Sequence, residues 1–129
     1  MSMSMSVVIV EDEALIALDL EGIVEDAGFT VAGIAIDMAE ALSIVAASKV
    51  DVAIVDLRLA KGCSGLETAR HLRMHHGVAT LFVSGSMSED LVRQALSLAP
   101  VGFVEKPFTP TQIRQPLDAA HYLKRHIAL

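Results

Sequence analysis

Four short apolar runs in this chain of 129 residues each end on a side chain able to do chemistry. Val7-Val-Ile-Val10 runs into Glu11-Asp12-Glu13, Val52-Ala-Ile-Val55 into Asp56, Ala79-Thr-Leu-Phe-Val83 into Ser84, and Val101-Gly-Phe-Val104 into Glu105-Lys106. Carboxylates gathered at one place repel unless a cation neutralises them, and an all-oxygen donor set is what Mg²⁺ prefers. A carboxylate in such a place can act as a nucleophile toward a phosphoryl group and become an aspartyl phosphate. A lysine supplies a compact positive charge to phosphoryl oxygens and a serine a hydroxyl donor. Glu11, Asp12, Asp56, Ser84 and Lys106 therefore form a coherent set if one edge of a sheet carries them all.

The pattern between these runs supplies that edge. Val52 to Leu59 is a near-continuous apolar stretch, the signature of a strand buried on both faces. Apolar residues at helical spacing, Leu15, Leu18 and Ile23 among them, predict a helix from Glu13 to Ala27 with Gly28 as its stop. Thr30 to Ala35 reads as a strand, and Asp37-Met-Ala-Glu40 as a capping box opening a helix to Ala47. Further helices are expected from Gly65 to His75 and from Glu89 to Leu98, the latter opened by Ser86-x-x-Glu89. Thr109-Pro110-Thr-Gln112 opens the last one, to His126, with a kink or delayed start at Pro116. Five β-α alternations imply an α/β fold, a parallel sheet covered by helices on both faces. In such sheets the ligand crevice lies outside the carboxyl ends of the strands, where the reactive residues fall.

Length allows one domain with a single core. The composition, 53% hydrophobic with 4% aromatic, suits aliphatic strands. A net charge of −6 disfavours nucleic acid or an anionic membrane as partner, and no stretch has the length of apolar residues a membrane span needs. Residues 1–5 lack the features of a signal peptide and read as a disordered segment preceding a domain over 6–129. The one cysteine, Cys63, cannot form an internal disulfide, which suits a reducing cytoplasm, and it reads as inert. His71, His75, His76, His121 and His126 have no metal spacing with a cysteine and read as solvated helix faces. Glu13 reads as an acid favouring a helix N-terminus.

On Val8-Ile-Val-Glu-Asp-Glu13, Asp56, Ser84 and Lys106-Pro107-Phe108, the chain resembles the receiver domains of two-component response regulators, from about Ser6 to Leu129. The resemblance implies a flavodoxin-like doubly wound sheet of five strands in order 2-1-3-4-5 with five helices. It implies that Asp56 accepts a phosphoryl group from a histidine kinase or exchanges it with a histidine phosphotransfer protein. Mg²⁺ ligands would be Asp12, Asp56, Glu11 through water, and the Arg58 backbone carbonyl. Ser84 and Phe103 match a switch pair, Lys106-Pro107 a cis peptide bond, and the output a protein-binding face around the fourth helix, fifth strand and fifth helix. Such a domain assists its own phosphotransfer and dephosphorylation without being an enzyme in the ordinary sense. Ala60 and Ser64 stand where the family has Pro and Gly, and Gly65 comes one residue later, implying a longer loop after Asp56. Gly85 stands where Ala is commoner, implying easier access to the phosphoryl group and a short-lived phosphoprotein.

Other functions on the same residues are a phosphorylation-independent interaction module and a phosphate sink or shuttle. A phosphatase pattern would want a second acid where Arg58 stands. A flavin carrier would want a hydroxyl- and glycine-rich loop where Glu11 and Asp12 would repel phosphate.

Overall fold

The computed structural model describes residues 4–59 and 64–126. The readings placed on Ala60 and Cys63 lie outside the described residues. Strands and helices alternate: β1 (Ser6–Val10), α1 (Ala14–Asp26), β2 (Thr30–Ala35), α2 (Met38–Ala47), β3 (Val52–Asp56), α3 (Gly65–His76), β4 (Ala79–Ser84), α4 (Glu89–Leu96), β5 (Gly102–Glu105) and α5 (Pro110–His126). The strands form one parallel sheet in the order β2-β1-β3-β4-β5, the doubly wound, flavodoxin-like arrangement that the resemblance implies.

Side chains alternate across a strand, so each central strand feeds two cores. Val7, Ile9, Val52, Ile54, Leu81, Val83 and Val104 pack with Leu20, Val24, Ile113 and Leu117 of α1 and α5. Val8, Val10, Ala53, Val55 and Phe82 face Ala41, Leu66, Leu72 and Ala95 of α2, α3 and α4. Every residue of β3 is buried, as its unbroken apolar run predicts, whereas the outermost strands β2 and β5 are partly exposed.

Several local expectations are corrected. Leu15 and Leu18 are 83% and 57% exposed, and the buried stripe of α1 is Ala17, Leu20, Ile23 and Val24. With 3.6 residues per turn, Leu18 is rotated roughly 100° from Ala17, off the core-facing line. The N-cap of α4 is Ser88, whose Oγ accepts from the Leu91 amide at 3.1 Å, while Ser86 lies in the preceding loop. Met5 does not belong to a disordered segment: it is 1% exposed in the α1/α5 core, and its carbonyl accepts from the Thr30 amide. Burying that thioether ties the chain down one residue before the first strand.

The α5 cap forms as expected, with the Thr109 amide donating to Gln112 Oε1 at 2.8 Å. Pro116 does not delay the helix, which runs unbroken from Pro110. Its ring lies over Gly102 of β5, where a Cβ would stand 3.3 Å from Pro116 Cβ and from Leu81 Cδ1. A missing side chain on the strand thus makes room for the proline. Among the described residues no helix is long and apolar enough to cross a membrane.

Candidate functional site

The ladder continues past two strand ends. The Glu11 amide donates to the Ala35 carbonyl at 2.9 Å, and the Lys106 amide to the Ser84 carbonyl at 3.0 Å. Alternation carried along these extended ends puts Glu11, after Ile9, and Lys106, after Val104, on the α1/α5 side, which Asp56 shares through Ile54. The three side chains meet there. Lys106 Nζ lies 2.7 Å from Asp56 Oδ2 and 2.8 Å from Glu11 Oε1, with Glu13 Oε2 at 3.7 Å. The Lys106-Pro107 bond is cis, as the resemblance implies.

Asp56 and Glu11 are nearly out of solvent, at 6% and 2% exposure. Each carboxylate is also tied to backbone. The Arg58 amide donates to Asp56 Oδ1 at 2.9 Å and the Glu13 amide to Glu11 Oε2 at 3.2 Å. Glu11 therefore helps to satisfy the start of α1, where Glu13 stands at the N-cap. Burial pushes the Glu11 carboxyl above its ordinary value of 4.5, opposed by Lys106 and the Glu13 amide and reinforced by the negative Asp56. Burial alone would lower the Lys106 ammonium, but its hydrogen bonds to Asp56 and Glu11 and their charges outweigh this and raise it above 10.5.

Glu11, half-buried Asp12 and Asp56 bring one carboxylate oxygen each within 4.8 Å of one another. Of these three acids Glu11 and Asp56 share one lysine, and all the donors are oxygen, so the set fits a hard divalent cation such as Mg²⁺. Arg58 pairs across the following loop with Ser64, and its Nε donates to the Ser86 carbonyl at 3.3 Å.

Ser84 is fully buried at the end of β4, with the opposite parity, and its hydroxyl donates to the Ser86 carbonyl at 3.2 Å. Phe103 is half-buried and stacks on Phe82 at a centroid distance of 5.6 Å. The serine hydroxyl is thus engaged with the β4-α4 loop, and the Phe103 ring packs on the α3/α4 side of the sheet.

Sequence reasoning used Gly65 only as a marker of loop length and missed its contact with the end of β3. A Cβ there would fall 1.8 Å from the Asp56 carbonyl oxygen. Only glycine lets α3 start against the backbone of Asp56, with Ser64 Oγ accepting from the Glu67 amide at 3.2 Å as the helix cap. The glycine itself was visible in the sequence, but nothing short of the fold shows what it touches.

Comparison with known proteins bears on this geometry. The family model described as the response regulator receiver domain matches residues 7–118. The chain is 32% identical over 124 residues to the phyllosphere-induced regulator PhyR of Methylorubrum extorquens, covering 95% of this chain and 46% of PhyR. It is 26% identical over 117 residues to the chemotaxis protein CheY of Thermotoga maritima, covering 90% of this chain and 97% of CheY. Among solved structures, the signal receiver domain of a modulated diguanylate cyclase from Desulfovibrio desulfuricans superposes with a TM-score of 0.85 at 27% identity, over 95% of this chain and 97% of that one. The chain spans about half the length of PhyR and of other curated relatives it matches.

Proposed function

From a chain that belongs to the response regulator receiver domain family of two-component signalling, we propose a phosphorylation-controlled switch centred on Asp56. Asp56 takes a phosphoryl group from the phosphohistidine of a histidine kinase or a histidine phosphotransfer protein. A carboxylate oxygen bonds to phosphorus as the N–P bond breaks, and the imidazole keeps the electron pair. The observation that carries this reading is Lys106 Nζ at 2.7 Å from Asp56 Oδ2 inside a cluster of three carboxylates.

Glu11, Asp12 and Asp56, with the Arg58 backbone carbonyl, would hold Mg²⁺, which when bound neutralises the carboxylates and the phosphoryl oxygens. Lys106, held at Asp56 by two ion pairs, keeps its charge throughout the neutral range and is placed to meet the negative phosphoryl group. The Arg58 amide fixes one Asp56 oxygen and so orients the carboxylate.

Ser84 is the group able to report the change. Its hydroxyl leaves the Ser86 carbonyl for a phosphoryl oxygen, the β4-α4 loop follows, and Phe103 repacks beside Phe82. The surface of α4, β5 and α5 then changes its affinity for a protein partner.

Intact mass after incubation with acetyl phosphate and Mg²⁺ tests this. A Mg²⁺-dependent phosphoryl adduct is expected in the wild type and not in Asp56→Ala. If neither acetyl phosphate nor beryllofluoride engages the protein in the presence of Mg²⁺, the domain is a phosphate-independent interaction module.

A further inference from the structure

Away from the acidic cluster, α3 ends in a second group of metal-ligating side chains. His71, His75 and His76 lie in its last two turns, where the helix closes on Gly77 in the left-handed conformation, with φ +66°. Residues four apart share a helix face, and the His71 and His75 rings are 4.5 Å apart between centroids; the His76 ring is 5.9 Å from that of His71. Among the described residues no carboxylate lies within ion-pair distance of these rings. Glu67, one turn before His71, is paired with Arg70 instead.

Two further features favour a cation here. The unsatisfied carbonyls of the last turn give a helix C-terminus partial negative charge, so positive charge is stabilised beside it. His71 is half-buried whereas His75 is exposed, so one ring is held by the fold and the other faces water, from which remaining ligands can come. Neutral imidazoles suit Zn²⁺, Cu²⁺ and Ni²⁺, and two histidines at i and i+4 on a helix form a known chelating pair for zinc.

We propose that His71 and His75 form a two-nitrogen surface site for a borderline transition-metal ion such as Zn²⁺, separate from the oxygen site at Asp56. The two sites divide by ligand chemistry: carboxylates take the hard ion and imidazoles the softer one. Because the pair is assembled by the helix, the ion binds the folded chain and stabilises it.

The test is calorimetric titration of the untagged full chain with Zn²⁺ in saturating Mg²⁺, which occupies the acidic cluster. One equivalent is expected to bind, with at least a tenfold loss of affinity in His75→Ala, an exposed position that leaves the fold intact. His71→Gln, accepted as folded if its circular dichroism matches the wild type, is expected to lose the site equally. Asp12→Asn and Cys63→Ser are expected to keep it. Absence of binding in the wild type, full retention in His75→Ala, or loss in Asp12→Asn or Cys63→Ser would overturn the proposal.

Discussion

Replacing Lys106 with methionine tests whether the ammonium is the counter-charge that allows the site to exist. The Lys106 side chain is 15% exposed, that of Glu11 1% and that of Asp56 7%, so solvent screens the three poorly. Removing one partner of a buried ion pair leaves an uncompensated charge, at a cost of roughly 3–5 kcal/mol. Here two carboxylates lose their cation at once, but the Arg58 and Glu13 amides still support them and half-buried Asp12 opens the cluster to water. The lower figure, about 3 kcal/mol, is therefore expected. For a domain of this size 1 kcal/mol moves the melting point by about 4 °C, so Lys106→Met should melt about 12 °C below the wild type without Mg²⁺. Added Mg²⁺ should narrow the gap, because in the wild type it competes with the ammonium for Glu11 and Asp56 and in the variant it does not. At a hundredfold excess over its Kd a ligand of the folded state stabilises by about 2.7 kcal/mol, most of the deficit. Calorimetric melts of both proteins with and without Mg²⁺ give the four values. A variant that melts within a degree or two of the wild type, or an equal Mg²⁺ shift in both proteins, would refute the reasoning.

Glu11→Gln should raise the melting point of the metal-free protein at neutral pH. The folded chain holds the Glu11 proton more tightly than the unfolded one, so stability falls as pH rises from 4.5 through the raised folded value; the variant's advantage should vanish below pH 4.5, as melts across pH would show. Gly65→Ala should cost about 3 kcal/mol in urea unfolding and abolish phosphorylation, since its Cβ would collide with the Asp56 carbonyl. Thr80→Val should be neutral or stabilise by about 1 kcal/mol, because the buried Thr80 Oγ1 has no hydrogen-bond partner among the described residues. Gly85→Ala should slow loss of the phosphoryl group, followed by mass, without unfolding the protein: an added Cβ would meet only Lys106 Cβ, at 3.9 Å.

The sheet was legible because its strands are consistent at every level. The apolar run ending on Asp56 belongs to a strand buried throughout, and the order of β1, β3, β4 and β5 puts the four strand ends that carry Glu11, Asp56, Ser84 and Lys106 on one edge. Capping residues were legible where side chain and position agree, as at Asp37 and Thr109. Ser86 and Ser88 are the counterexample, two serines near one helix start of which only the second reaches the Leu91 amide. Leu15 and Leu18 show the limit of periodicity, since an apolar residue beside the buried stripe looks like one within it. The partnership of Lys106 with Glu11 was not legible. A lysine's flexible stem reaches many points, and the register of β1 against β3, together with Lys106 extending the β5 ladder beside β4, decides which carboxylate it meets. The contact between Gly65 and Asp56 depends likewise on a helix start and a strand end that only the fold brings together.

The central claim is that Asp56, and no other carboxylate of the cluster, forms the acyl phosphate. Phosphorylating the protein with acetyl phosphate and Mg²⁺, reducing it with borohydride and sequencing its peptides by tandem mass spectrometry reads the site directly, because an aspartyl phosphate becomes homoserine. Homoserine at position 56 alone, dependent on Mg²⁺, is the expected result. Homoserine at Asp12, or a phosphoryl adduct that leaves position 56 as aspartate, would contradict the account.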